Sequence, residues 1–178
     1  MTLETLTQRY LPAIEHTMHE VIAKTDMPPL KELHTMMSYH LGWDDGAGAN
    51  AGGKRVRPLI VLLTTEAAGG PWKRALPAAA AIELVHNFSL IHDDIEDNSD
   101  LRRGRPTLWK RWGKAQAINT GDAMFSLAHL ALLQMEQTAS PSITLQAARV
   151  LQETCLHLTQ GQHLDIAYET RTDLSLND

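Results

Sequence analysis

Thiol chemistry is nearly absent from this 178-residue chain, which has one cysteine, Cys155. No intrachain disulfide can form, which suits a reducing compartment and leaves Cys155 a role in helix packing. Positive charge is not in excess: the formal net charge is -5, so the broad attraction of a nucleic-acid binder is missing. The N-terminus lacks the apolar run and small-residue cleavage site of a signal peptide, and Glu4, Glu15 and Glu20 are out of place in a transit peptide. No stretch has the apolar length of a membrane span. These absences lead us to expect a soluble, cytoplasmic protein with neither nucleic acid nor membrane as partner. Period-2 alternation long enough for a strand is also missing, as are repeats and low-complexity tracts.

What is present is helical. Leu3, Leu6, Tyr10, Ile14, Met18 and Val21 recur at helical spacing. Met27-Pro28-Pro29 interrupts them, and a second helix is expected over about 29–39. Residues 42–53 form a loop rich in Gly, Asn and Asp. A helix should begin near Pro58, carry Leu59 to Ala68 and stop at Gly69-Gly70-Pro71. Others are expected over about 73–97, 108–114, 119–135 and 142–169, divided by a polar, Arg-rich loop at 99–107 and by Ser140-Pro141. A polar tail runs from Thr170 to the end. A hydrophobic fraction of 43% is ordinary for a globular protein, and the length suffices for one domain with a core. The expected fold class is all-α, a helical bundle over residues 1–178.

The richest segment is ELVHNFSLIHDDIED at 83–97. On a helical wheel Leu84, Phe88, Ile91 and Ile95 share one face. His86, Asp93 and Asp97 share the opposite one, within an arc of roughly 40°, and Asp94 lies to the side. Carboxylates four residues apart repel each other unless they are solvated or hold a cation. Hard oxygen ligands of this kind suit Mg²⁺ shared with substrate phosphates and water. A solvated acidic helix end explains the same residues, although the apolar flanks argue for partial burial.

Two basic clusters stand nearby. LRRGRPT at 101–107 offers Arg102 and Arg103; guanidinium pairs bidentately with phosphate, so with metal-bearing carboxylates it would make a diphosphate clamp. A basic turn paired with Asp97 and Asp100 is the plainer alternative. GGKRVRP at 52–58 sets Gly53, Lys54 and Arg57 at a helix start, which already attracts anions. Gly48 and Gly53-Lys54 match the spacing of a nucleotide-binding P-loop, but Arg55 stands where Ser or Thr must hold Mg²⁺ and no hydrophobic strand precedes the loop. The nucleotide reading is rejected on both counts.

These motifs, in this order and with INTGDAMF ending at Phe125 and GQHLDI at 161–166, resemble the trans-isoprenyl diphosphate synthases, the polyprenyl synthetase family. The resemblance covers most of the chain from Gly52 onward. It implies a bundle of the isoprenoid synthase type and a Mg²⁺-dependent prenyltransferase joining isopentenyl diphosphate to an allylic diphosphate. It implies that Asp93 and Asp97 bind metal with Asp94 in support. Arg102 would hold the allylic diphosphate. Gly53, Lys54, Arg57, His86 and Arg103 would form the isopentenyl diphosphate pocket, and Gln162 and Asp165 would face the site. In such enzymes ionisation, condensation and elimination follow one another, with the released diphosphate as base. Phe88 and Ser89, five and four positions before Asp93, would help set the floor of the elongation pocket; an aromatic there implies a short or medium product, farnesyl- or geranylgeranyl-like.

The chain departs from the family in lacking its second aspartate-rich motif and the Lys-Thr pair before it. We therefore expect weak or no turnover from this polypeptide alone. A terpene cyclase would not need the second diphosphate pocket that GGKRVRP and His86 imply. A non-catalytic partner subunit remains an alternative. Family resemblance also implies a homodimer through the helix over 119–135, where Leu127, Leu130 and Ala131 would serve a partner or the interior equally well.

Overall fold

The computed structural model describes residues 3–44 and 51–173. Residues 45–50 of the glycine-rich loop, Gly48 among them, and residues 174–178 lie outside the described residues. The described chain is all-α: α1 Leu3–Ile22, α2 Lys31–Leu41, α3 Val56–Ala67, α4 Leu76–Glu96, α5 Leu108–Trp112, α6 Lys114–Leu133 and α7 Pro141–Tyr168.

Several boundaries differ from the sequence expectation for local reasons. Helix α3 starts two residues before Pro58, because Arg55 takes a left-handed turn (φ 49°) and launches the helix from there. A short 3₁₀ turn, Trp72–Ala75, precedes α4, whose second residue is Pro77, a position that needs no N–H donor. Helix α6 begins at Lys114, well before 119, because Gly113 (φ 84°) breaks the chain immediately after α5. Ser140 caps α7 by accepting from the Ile143 N–H.

The expected loop at 99–107 contains a two-residue antiparallel ladder, β1 Leu101–Arg102 with β2 Arg105–Pro106. Leu101 pairs with Pro106 and Arg102 with Arg105, which leaves Arg103 (φ 53°) and Gly104 (φ 76°) as the turn. Two consecutive positive φ values are the signature of a tight hairpin turn whose twist suits the ladder. The two arginines are thereby sent in different directions.

Helix α4 is the axis of the bundle. It packs along α6 and also against α1 and α3. Ala79, Ala80 and Ala81 of α4 share the buried core with Ala117, Ala128 and Ala131 of α6, and small residues let helices approach closely. At Gly121 an added Cβ would collide with the His92 ring, so the approach depends on that glycine. Leu84, Ile91, Leu62, Met124 and Tyr10 fill the interior, each contributing about 1.5–3 kcal/mol by burial. Leu127 and Ala131 also lie inside, whereas Leu130 is exposed. Cys155 is buried in α7, as its packing role requires.

Candidate functional site

Helix α4 presents two opposite stripes. Ala80, Glu83, Leu84, Asn87, Ile91 and Asp94 are buried on one. On the other, Val85, His86, Phe88, Ser89, Asp93 and Glu96 line a cleft of about 560 Å³, completed by Arg57 of α3 and by Thr154, Leu158 and Gln162 of α7. The buried stripe is turned by roughly 60° from the apolar face drawn on the wheel. Phe88 therefore is not sunk in the core. It sits half-buried at the cleft edge, its ring tilted against Phe125 at 4.8 Å and edge-on to His92 at 5.1 Å.

Asp94 is the second correction to the wheel. It lies inside, 2% exposed. Its Oδ1 accepts from Arg102 Nε at 2.8 Å, while Arg102 Nη2 donates to Asp93 Oδ2 at 3.2 Å. Burial raises the Asp94 pKa, and the Arg102 bond opposes that rise. The guanidinium thus grips two adjacent carboxylates from behind the cleft rim. Asp97 and Asp100 are not its partners: Asp100 pairs with Lys110, and Asp97 is exposed with no ion pair among the described residues.

Arg103 turns the other way. Its Nη1 donates to the Ala51 carbonyl at 2.9 Å. A Cβ on Gly53 (φ 78°) would lie 2.7 Å from Arg103 Nη2, so backbone conformation and close approach both demand glycine there. Arg55 anchors the same loop from below. Its side chain is 2% exposed and donates to Glu15, to Glu83 and to the Leu41 carbonyl. Trp43 Nε1 and Asn87 Nδ2 complete the carboxylates' partners.

The cationic surroundings act on histidine. His86 has its pKa lowered to about 4, first by burial and then by Arg57, Arg103, Arg102 and Arg55. A neutral imidazole at the cleft rim beside several guanidinium groups makes that end of the cleft attractive to an anion.

Of the residues expected at the site, Arg57, His86, Phe88, Ser89, Asp93 and Gln162 line the cleft. Gln162 donates to Glu96 at 2.9 Å and so ties α7 to the acidic end of α4. Asp94, Arg102, Arg103 and Gly53 support it from behind. Lys54 and Asp165 are exposed and outside the lining. Sequence reasoning missed Arg55, Glu83, Asn87 and Glu96. Glu83 and Asn87 had a readable signal: they stand four apart, with Asp94 seven beyond Asn87, which is one helix stripe.

Among the described residues no group of three or more His, Cys, Asp or Glu side chains could hold a metal ion unaided. The donors that could take part are the carboxylates of Asp93 and Asp97, and Asp94 Oδ2 is buried without a hydrogen-bond partner among the described residues. Such a set fits a hard cation that shares its coordination with phosphate oxygens and water, as Mg²⁺ usually does. Among the described residues no helix is long and apolar enough to cross a membrane.

A profile of the polyprenyl synthetase family matches residues 47–178. The chain is 43% identical over 180 residues to the (2E,6E)-farnesyl diphosphate synthase of Mycobacterium tuberculosis, an alignment covering 97% of this chain and 49% of that protein. It is 48% identical over 122 residues to the geranylgeranyl diphosphate synthase of Methanosarcina mazei, covering 68% of this chain and 37% of the other. Among solved structures, geranylgeranyl pyrophosphate synthetase from Pyrococcus horikoshii superposes with a TM-score of 0.84 at 34% identity, over 98% of this chain and 50% of that one. The chain spans about half the length of the curated relatives it matches first.

Proposed function

The chain belongs to the polyprenyl synthetase family, and from that premise we propose that it is the substrate- and metal-binding half of a trans-prenyltransferase. The reaction is head-to-tail condensation of isopentenyl diphosphate with an allylic diphosphate. The cleft carries this reading: Arg57, His86 and Asp93 bring cation and carboxylate to it, while Ile82, Val85, Phe88 and Leu158 give it apolar walls. A diphosphate head and a hydrocarbon tail are what such a lining accommodates.

Asp93 and Asp97 would hold Mg²⁺ together with substrate phosphates, and the metal would supply charge neutralisation at the departing diphosphate. Arg102, steadied through Nε by Asp94, offers the rest of its guanidinium to the allylic diphosphate and stabilises the negative charge that develops there. Lys54, Arg57, Arg103 and neutral His86 bind the diphosphate of isopentenyl diphosphate, whose double bond attacks the allylic cation. Gln162 and Asp165 act from α7. The proton released in the final elimination passes to the freed diphosphate. The apolar walls keep water from the cation. Phe88 and Ser89 limit the growing chain to a farnesyl- or geranylgeranyl-like length.

Turnover by this polypeptide alone is expected to be weak. Helix α7 exposes Leu145, Val150, Leu156, Leu164 and Ile166 on several of its sides, apolar surface that further chain, from this protein or a partner subunit, would cover. The exposed Leu130 and Leu133 on α6 support a homodimer.

The test is an incubation of the purified chain with Mg²⁺, labelled isopentenyl diphosphate and a series of allylic diphosphates, run with the chain alone and with the chain joined to the C-terminal half of a relative it matches. Labelled longer prenyl products that vanish with EDTA and in Asp93→Ala are expected once that half is supplied. Ionisation of the allylic substrate without incorporation of label would overturn the condensation in favour of a cyclase. Robust turnover by the 178-residue chain would overturn the half-enzyme reading.

A further inference from the structure

Behind the cleft rim lies a second, much smaller cavity of about 20 Å³, lined among others by His40, Asp94, Arg102 and Arg103. Its contents are set by two atoms. Asp94 Oδ2 and His40 Nε2 are both fully buried and have no hydrogen-bond partner among the described residues. His40 keeps some exposed surface as a residue, but none at Nε2. An unpaired buried carboxylate oxygen is costly, because the water it gave up is not replaced. Two such atoms, on residues that line one cavity, therefore call for a common partner. About 10–15 Å³ of this kind of space holds one water, which needs two to four polar contacts. Nothing larger than water fits.

We propose that a single ordered water bridges His40 and Asp94, making His40, on α2, a positioning residue for Arg102. The imidazole Nε2–H donates to the water oxygen, and the water donates to Asp94 Oδ2. Asp94 then has both oxygens engaged, Oδ1 by Arg102 Nε and Oδ2 by the water. Its carboxylate is held in one rotamer, and through it the guanidinium plane is fixed. His40 is neutral throughout the working range: burial, with Arg103, Arg102, Arg55 and His86 nearby, lowers its pKa to about 3. The bridge therefore adds orientation without adding charge. The functional part of this inference rests on the diphosphate role proposed for Arg102; the water site does not.

Two measurements test it separately. A high-resolution crystal structure of the chain should show a solvent peak within hydrogen-bond distance of both His40 Nε2 and Asp94 Oδ2. An empty cavity, or a direct His40–Asp94 bond, would overturn the proposal. Calorimetric titration with inorganic diphosphate and Mg²⁺ then compares the wild type, His40→Leu and His40→Gln, whose amide N–H can replace Nε2–H. Losing a partner one layer behind a binding group typically costs about ten- to a hundredfold in affinity. We expect that loss in His40→Leu and its recovery in His40→Gln, with equal helical content by circular dichroism. Equal affinity in a folded His40→Leu would refute the positioning role. If His40→Leu fails to fold, weak binding by a folded His40→Gln refutes it instead. Absence of diphosphate binding in the wild type would count against the proposed function, and the solvent peak alone would then decide this inference.

Discussion

Removing the charge of Arg55 should destabilise the protein far more than removing any exposed arginine. Its guanidinium is 2% exposed and its partner Glu83 is 3% exposed, whereas Glu15 is 28% exposed. In Arg55→Met, Glu15 can turn to water, but Glu83 stays buried with only Asn87 Nδ2 donating to its side chain. Breaking a buried ion pair from one side costs about 3–5 kcal/mol, because the remaining charge is uncompensated. The orphaned Leu41 carbonyl adds about 1 kcal/mol. A chain of this size melts about 2–4 °C lower per kcal/mol lost, so a fall of roughly 8–24 °C is expected. Urea unfolding followed by circular dichroism measures the loss. The decisive comparison is Arg55→Met with Glu83→Met. Removing both charges should be less damaging than removing Arg55 alone, since a buried pair replaced by apolar side chains is often neutral. A double variant as unstable as the sum of the singles would refute the reasoning, since Arg55 would then act without Glu83.

Two further outcomes follow from the cleft and its rim. Phe88→Ala removes the ring between the acidic end and Val85 and Ile82, so in the active protein products should lengthen by at least one isoprene unit; chromatography of the labelled products checks this, and an unchanged distribution counts against Phe88 as the floor. The His86 pKa lies below its unfolded value, so the unfolded chain binds more protons between about pH 6.5 and 4. Stability contributed by the neutral imidazole is fully present above that window and is lost as pH falls through it. The urea midpoint should drop on going from pH 7 to pH 5, and less so in His86→Gln; equal drops would show that the surrounding arginines do not act through His86.

The helices were legible because their apolar spacing is regular, and the motifs because diphosphate chemistry needs a narrow set of residue types. The absolute rotation of α4 was not. A wheel gives the angles between residues on one helix; only the neighbours decide which angle points inward. Apolarity placed the centre near Leu84, Phe88, Ile91 and Ile95. The structure moves it to Asn87, because α4 buries Glu83, Asn87 and Asp94 as well. Those polar groups tolerate burial because partners arrive from distant sequence: Arg55 at Glu83 and Arg102 at Asp94. Neither pairing has a local signature. The hairpin was missed for a similar reason. Its ladder is only two residues long, and Arg103 in a left-handed conformation is not what sequence favours.

That rotation also explains how one helix serves two chemistries. With Asn87 inward, the outward half of α4 runs from His86 and Asp93 on one rim, across Ser89 and Glu96, to Phe88 on the other. Phe88 lies five residues before Asp93, roughly 7.5 Å down the axis. The carboxylates are thus concentrated at the C-terminal end of the cleft, and apolar surface extends from Phe88 toward Val85 and Ile82. Had the apolar face been buried as the wheel drew it, Phe88 would be lost to the core and Asp94 would reach solvent. Arg102 would then pair with an exposed carboxylate, in a contact worth about 1 kcal/mol or less. The polar residues on the buried stripe of α4 are therefore what turns its remaining apolar residues toward the cleft, where a hydrocarbon chain would need them.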